Sequence, residues 1–469
     1  MGVALGTVVA VSPAPVSAAD MHGAAVAGTD LSLVLVSPFI GMLLSIALFP
    51  LVAPHFWHRW YGMVSGFWAL AFLVPFTAQF GVDTAIYEVL HALIGEYVPF
   101  ILLLLALYTI SGGVRVTGTL IGRPVVNTII LAVGTAIASV TGTTGAAMLL
   151  IRPLLLANAW RRKRVHTIVF FIFLVGNIGG ALSPLGDPPL FLGFLNGVDF
   201  FWPTRHLLLP MLVLTVILLA LHHVIDGWHY RHERVHPTAR PGPHDQPFGI
   251  EGKINLLLLL GVILAVLLSG VWRPGIVFDI RGVPLPLESL ARDIVLLALT
   301  GLSLWLTDGK SRRLNGFIWF PIVEVAKLFA AIFITIIPAI AILRAGGTGA
   351  LGAMTALVNQ GGQPINGAYF WATGLLSSVL DNAPTYLVFF NLAGGDPALL
   401  MTQHATTLLA ISAGAVFMGA LTYIGNAPNF MVKSIAERAG VPMPSFFGFM
   451  LWSWPILLPL FGLLTVMLF

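Results

Sequence analysis

The sequence predicts an all-α polytopic membrane protein built as an inverted repeat. Each half is expected to hold five spans, one re-entrant hairpin and one broken helix. Three observations carry this expectation: the composition, a segment repeated at fixed spacing, and the uneven placement of basic residues among the loops.

Of 469 residues, 58% are hydrophobic and only 9% are charged. A soluble domain carries roughly 25% charged residues. A chain this poor in charge cannot cover a water-facing surface, so lipid must be its main solvent. The net charge of +4 does not point to nucleic acid as a partner. The basic residues stand in short loops between apolar runs, where they set orientation. Cysteine is absent, which excludes disulfides, thiolate metal sites and thiol nucleophiles.

Residues 1–30 read as a signal-like or periplasmic N-terminal tail. Val16-Ser17-Ala18-Ala19 before Asp20 resembles the end of a secretory signal without its basic start. Residues 31–225 form the first membrane repeat. Apolar runs begin near Leu31, Trp60 and Leu90, each able to supply the ~20 residues a span needs. A longer segment, Val125 to Asn158, is broken at Thr141-Gly142-Thr143-Thr144-Gly145, and runs from Val165 and His206 follow. Residues 226–253, with Pro237, Pro241, Pro243 and Pro247, read as a cytoplasmic linker. The histidines in and before it (His222, His223, His229, His232, His236, His244) show no regular ligand spacing, so a solvated linker is the better reading than a metal tract. Residues 254–469 form the second repeat, with runs from Ile254, Ser289, Phe317, Tyr369, Ala405 and Ser445; the Tyr369 run is broken at Asp381-Asn382-Ala383-Pro384.

Treating the two broken segments as hairpins that enter and leave on one side leaves ten crossings. With the N-terminus outside, seventeen of the 23 basic residues fall in inner loops and five in or beside outer ones; only Lys327 lies within a span. This obeys the positive-inside rule. Making either hairpin a full crossing inverts every later loop and destroys the bias.

The halves also match in sequence. Gly180-Ala181-Leu182-Ser183-Pro184-Leu185-Gly186-Asp187-Pro188-Pro189-Leu190-Phe191 aligns with Gly419-Ala420-Leu421-Thr422-Tyr423-Ile424-Gly425-Asn426-Ala427-Pro428-Asn429-Phe430 at an offset of 239 positions. The same offset, without a gap, sets Gly142 to Ala146 against Asp381 to Thr385. Both hairpin breaks and both later helix breaks therefore correspond, in copies of opposite orientation. Many secondary transporters have this architecture.

Proline removes a donor and clashes with the preceding turn, so Gly186-Asp187-Pro188-Pro189 and Gly425-Asn426-Ala427-Pro428 cannot continue a helix. Unwound backbone at membrane depth is tolerated where it is buried or lines a wet cavity. One central site, made by two hairpin tips and two helix breaks, is expected. Asp187 and Asp381 lie at the breaks, with Asn177, Ser183, Ser378, Asn382, Thr422 and Asn426 nearby and Thr143 and Thr144 at the first tip. Such oxygen sets suit a hard cation, and Asp187 and Asp381 are the candidate Na⁺ ligands. Each is equally placed to cap the helix that follows it. Glu96, Glu324 and Lys327 are candidates for coupling. Glu324 and Lys327, three apart on one helix, are expected to pair. No organic cofactor is expected, only coupling ions, Na⁺ or H⁺.

Asn177-Ile178-Gly179-Gly180-Ala181-Leu182-Ser183-Pro184-Leu185-Gly186-Asp187 resembles the signature of NhaD-type sodium/proton antiporters, and Ser377-Ser378-Val379-Leu380-Asp381-Asn382-Ala383-Pro384 their second-half motif. Both resemble the wider ion transporter superfamily, which includes arsenite permeases and divalent-anion carriers; the whole chain is similar to a bacterial citrate transport branch of it. The resemblance implies a homodimer in the bacterial inner membrane, with scaffold and transport domains and an elevator motion. Dicarboxylate carriers of the superfamily show Ser-Asn-Thr at both tips. Here the tips read Thr143-Thr144-Gly145 and Asp381-Asn382-Ala383. An acid at a tip repels a carboxylate substrate, which favours Na⁺/H⁺ antiport over cation-coupled citrate or other anion transport. The chain shows no zinc-type His-Glu motif and no Gly-x-Ser-x-Gly within a span, so a membrane-embedded enzyme is the remote alternative.

Overall fold

The computed structural model describes residues 26–233 and 249–469. The signal-like stretch before Asp20 and the linker prolines, with His236 and His244, lie outside the described residues.

Helices α1 (Ser37–Val52), α2 (Pro54–Phe80), α3 (Val82–Ala92) and α4 (Val98–Ser111) open the chain, with one π-helical turn, Leu93–Tyr97, joining the last two. Next come α5 (Pro124–Thr141), α6 (Thr143–Ala157), α7 (Val165–Leu174), α8 (Pro188–Leu195) and α9 (Trp202–Arg231). The second part holds α10 (Ile254–Val271), α11 (Leu287–Leu306), the short α12 (Gly309–Leu314), α13 (Phe320–Thr335), α14 (Ile337–Arg344) and α15 (Gly352–Val358). It ends with α16 (Asn366–Val379), α17 (Asn382–Leu392), α18 (Pro397–Met401), α19 (Ala405–Phe417), α20 (Ala427–Arg438) and α21 (Phe446–Leu468). Proline at the first turns of α1, α2, α4, α5, α8, α13 and α20 starts these helices without wasting a donor.

Among the described residues, nine helical stretches are long and apolar enough to cross a membrane, and α13–α14, bent by 43°, makes a tenth. This agrees with ten in number but not in membership. Pro124–Thr141, expected as a hairpin arm, is long enough to span, whereas Ala405–Leu421, expected as a crossing, is short. Length alone does not separate the two cases; the partners of the helix ends do. The Asn127 amide at the start of α5 donates to Asn158 just past α6 at 2.9 Å, and Gly122 N–H donates to Ala157 O at 2.8 Å. The α5–α6 unit thus returns to where it began. In α16–α17 the Tyr369 hydroxyl donates to Leu392 O at 3.4 Å, bringing that unit's ends together as well.

The breaks have local causes. Gly142 ends α5 at φ +76°, a conformation that L side chains rarely adopt. At the second tip Asp381 turns extended, and its carboxylate accepts Ala383 N–H at 3.1 Å to cap α17. Past each hairpin lies a helix buried on every side. All residues of α7 from His166 onward, and all of α19 from Thr407 onward, are buried. Helices apolar all round belong at the centre of a bundle. Both run into a 3₁₀ turn (Ile178–Leu182, Met418–Leu421), an unwound stretch, and then α8 or α20.

At the offset of 239, these elements match not only in order but in their restraints. Ser183 Oγ donates to Ser139 O, and Thr422 Oγ1 donates to Ser378 O. Leu185 N–H and Ile424 N–H donate to those same hydroxyls, each at 3.2 Å.

Short antiparallel ribbons complete the fold. β1 (Arg115–Thr117) pairs β2 (Gly249–Glu251), tying the loop before α5 to the far side of the linker. β3 (Val277–Ile280) pairs β4 (Val283–Pro286) between α10 and α11, and β5 (Asn359–Gln360) pairs β6 (Gln363–Pro364) before α16. The linker begins later than expected. α9 stays helical through Arg231, and His222 and Asp226 are fully buried on it rather than solvated. Polar contacts to the base of the first hairpin hold them there.

Candidate functional site

Four broken elements meet at one carboxylate. Asp187, at the turn before α8, is 1% exposed. Its Oδ1 accepts from Thr143 Oγ1 at 3.1 Å and from Asn426 Nδ2 at 3.0 Å. Its Oδ2 accepts from Asn382 Nδ2 at 2.6 Å. Thr143 is the first residue after the first tip, Asn382 the first after the second, and Asn426 stands at the later break. Thr143 N–H also donates to Gly186 O at 2.9 Å, so the first tip grips the backbone beside Asp187. This close seating needs glycine at 186: a Cβ there would lie 2.1 Å from Gly180 O.

A second layer of amides joins the two halves. Asn177 donates to Asn429 Oδ1 at 2.8 Å and accepts from Asn426 at 3.3 Å. Asn429 in turn donates to Gly419 O and Thr422 O at 2.9 and 3.1 Å. These amides replace the hydrogen bonds that the unwound turns cannot make internally.

The charge at Asp187 has no cationic neighbour. Its three donors are neutral, and none of the ion pairs among the described residues includes Asp187, Asp381, Glu96 or Glu324. Asn382 Oδ1 is buried beside it with no partner among the described residues. The oxygens of Thr143 and Thr144, this amide oxygen and the two carboxylates are therefore hard donors of the kind a small cation takes.

Asp187, Asp381, Thr143, Thr144 and Asn426 line a cavity of about 90 Å³. Its far wall is apolar, formed by Phe100 and Leu107 of α4 and by Ile322 and Phe329 of α13. A second cavity, of about 320 Å³, shares Tyr108, Pro321 and Met431 with the first and is lined by Arg115, Arg152 and Arg438.

The remaining expected residues take other places. Ser183, Ser378 and Thr422 hold the breaks to the hairpins by the bonds given above and do not line the central cavity. Asp381 lines it, but its carboxylate is engaged by its own helix cap. Glu96 lies half-buried in the π-helical turn, away from the cavity. Glu324 and Lys327 form no ion pair with each other. Both approach α2, where Lys327 Nζ lies over the Tyr61 ring at 5.5 Å, and an aromatic face replaces the expected carboxylate. Sequence reasoning missed the apolar wall and the amide bridge from Asn177 to Asn426. It also missed a buried cluster of Arg161, His166, His222 and Asp226, for which the i, i+4 spacing of His222 and Asp226 was the available signal.

The family model described as "Putative citrate transport" matches residues 28–469. The chain belongs to that family. Two curated relatives, uncharacterized transporters of Mycobacterium bovis and of Mycobacterium tuberculosis, are each 27% identical over 336 residues, spanning 70% of this chain and 73% of the relative. The protein is thus a multi-pass membrane protein of a transporter family.

Proposed function

We propose that the chain is a secondary active transporter whose coupling cation binds at Asp187, and that Na⁺/H⁺ exchange is its activity. The observation that carries this is a buried carboxylate gripped by two hairpin tips and two helix breaks, with only neutral donors around it. A charge at membrane depth costs at least ~2.5–3.5 kcal/mol. With no basic side chain in contact, a proton or a bound cation is what can neutralise Asp187. A group that takes either one exchanges them by competition.

The reading extends to topology. The repeat at offset 239 is taken as inverted, residues 31–225 against 254–469. The N-terminus is taken as periplasmic and the α5–α6 hairpin as opening to the cytoplasm, in a bacterial inner membrane. The assembly is taken as a homodimer in lipid, with the unit bearing Asp187 moving against the α4 and α13 wall.

Cation-coupled uptake of citrate or a similar anion is the second reading. It is favoured by the family and by Arg115, Arg152 and Arg438 in the adjoining cavity, which would draw a polycarboxylate toward the site. Everted vesicles under an imposed pH gradient separate the two. Recovery of fluorescence on adding Na⁺ supports exchange. Citrate accumulation with no Na⁺-evoked proton movement overturns it in favour of symport.

A further inference from the structure

Away from the central cavity, the end of α9 that leads into the linker carries a second constellation. His222, Asp226 and His229 recur at i, i+4 and i+7, which places them on one face of a helix. His166, in the first turn of α7, faces them. Its ring lies 4.5 Å from that of His229 and 6.1 Å from that of His222, centroid to centroid. One ligand atom each from His166, His222 and Asp226 lie within 4.8 Å of one another, and all three residues are buried. His222 Nε2 is buried and makes no hydrogen bond to any described residue. An imidazole with a bare nitrogen in the interior either forfeits that bond or holds something there.

We propose that His166, His222, Asp226 and His229 form a site for a divalent transition-metal ion of the zinc class. The donor set is three imidazoles and a carboxylate, without thiolate, which suits Zn²⁺, Co²⁺ or Ni²⁺ and not the oxygen-loving Mg²⁺ or Ca²⁺. A tetrahedral ion with ligands at about 2.0–2.2 Å sets the ligand atoms roughly 3.4 Å apart. His166 Nε2 and Asp226 Oδ1 already lie 2.8 Å apart, and the ligand atoms of His166, His222 and Asp226 all fall within 4.8 Å of one another, so among these three side-chain rotation has at most about 1.4 Å to close. The outer shell is already in place: Asn127 donates to Asp226 Oδ2 at 2.9 Å, and Arg161 approaches Oδ1 at 2.6 Å. Ligating carboxylates are held by such partners. The Arg161 charge also opposes a dication, so this is a site of moderate affinity rather than a zinc finger's.

Its effect would be mechanical. Asn127 begins α5, so an ion here pins the base of the first hairpin to α7 and α9. The site is independent of the Asp187 reading, and its test does not rely on transport.

The full-length protein, purified with its affinity tag removed and stripped by chelator, is titrated with Co²⁺ and Zn²⁺. One ion per chain is expected, with the intense visible absorption of tetrahedral Co²⁺ displaced by Zn²⁺. His222→Ala and His229→Ala should each weaken binding by at least about 100-fold, since outer-shell losses alone cost 10–100-fold. His232→Ala should leave it unchanged. Wild-type protein that takes up no Co²⁺, shows only a weak octahedral spectrum, or binds as well after His222→Ala overturns the proposal. The wild-type spectrum decides even if a variant does not fold.

Discussion

Asp187→Asn separates the role of the charge from the role of the shape. The carboxylate accepts three hydrogen bonds, from Thr143, Asn426 and Asn382. Bonds to a charged acceptor contribute about 1.5–3 kcal/mol each and neutral ones about 0.5–1.5 kcal/mol. Neutralising the acceptor therefore weakens the set by about 3 kcal/mol in all. Removing a buried charge returns about 2.5–3.5 kcal/mol. The donor facing Asn382 Nδ2 would leave two NH₂ groups opposed. Asn382 Oδ1 has no partner, however, so an amide flip converts that clash into a hydrogen bond. The terms cancel to within about 1 kcal/mol. The variant should fold and melt in detergent within a few degrees of wild type, while ion-driven exchange in everted vesicles falls to background. Retained Na⁺- or pH-driven transport in a folded Asp187→Asn protein would refute the assignment of the coupling ion. A collapse in melting temperature would refute the cancellation.

Four further outcomes follow from the geometry. Gly142→Ala forces φ +76° on a residue with a Cβ, at roughly 1–2 kcal/mol, and should lower transport by displacing Thr143 from Asp187 while the protein remains folded; ligand-free melting and vesicle flux check the two parts. Ser183→Ala removes one donated and one accepted bond, and Thr422→Ala removes the matched two and a third from Gly425 N–H, so each should destabilise by about 1–3 kcal/mol, Thr422→Ala by the larger amount, in thermal unfolding. Arg152→Gln with Arg438→Gln should abolish any citrate uptake yet spare Na⁺/H⁺ exchange, so loss of both would place these arginines in the folding of the chain instead. Because the chain has no cysteine, Arg205→Cys and Lys310→Cys can each be read with an impermeant maleimide: labelling from outside is expected for the first and not for the second, and the reverse would overturn the proposed orientation.

What was legible in the sequence was punctuation. Helix-breaking residues cluster at 142, 186–189, 381–384 and 425–428, and the structure breaks its helices there, whereas lone prolines such as Pro75 and Pro210 stay inside theirs. Their convergence on one carboxylate was only half legible. Asp187 and Asp381 look alike as text, but Asp381 spends its oxygen on its own helix while Asp187 receives side chains from three other elements. That difference lies in long-range packing, which periodicity does not report. The cavity wall was invisible for a related reason: in a chain that is apolar throughout, Phe100 and Phe329 read like any lipid-facing residue. Glu324 and Lys327 misled because i, i+3 spacing permits a pair without requiring one, and here the Lys327 ammonium lies over the Tyr61 ring on α2. The end of α9 misled because histidines near prolines look solvated, whereas His222 and Asp226 are buried, with Arg161 and Asn127 against Asp226.

Residues 187 and 426 occupy matched positions, and their side chains touch at 3.0 Å. Two acids at that separation could not both stay ionised in the interior, and two amides would carry no charge at all. The duplicated frame must therefore be unequal at this one spot, with an acid in one half and an amide in the other. Its electrical consequence is that this matched pair adds one elementary charge to the emptied site and not two. Any motion carrying that site across the full membrane potential is then biased by about 2.3 kcal/mol per 100 mV. Voltage would act on the return of the vacant carrier, and the proton- or cation-loaded one would cross unhindered.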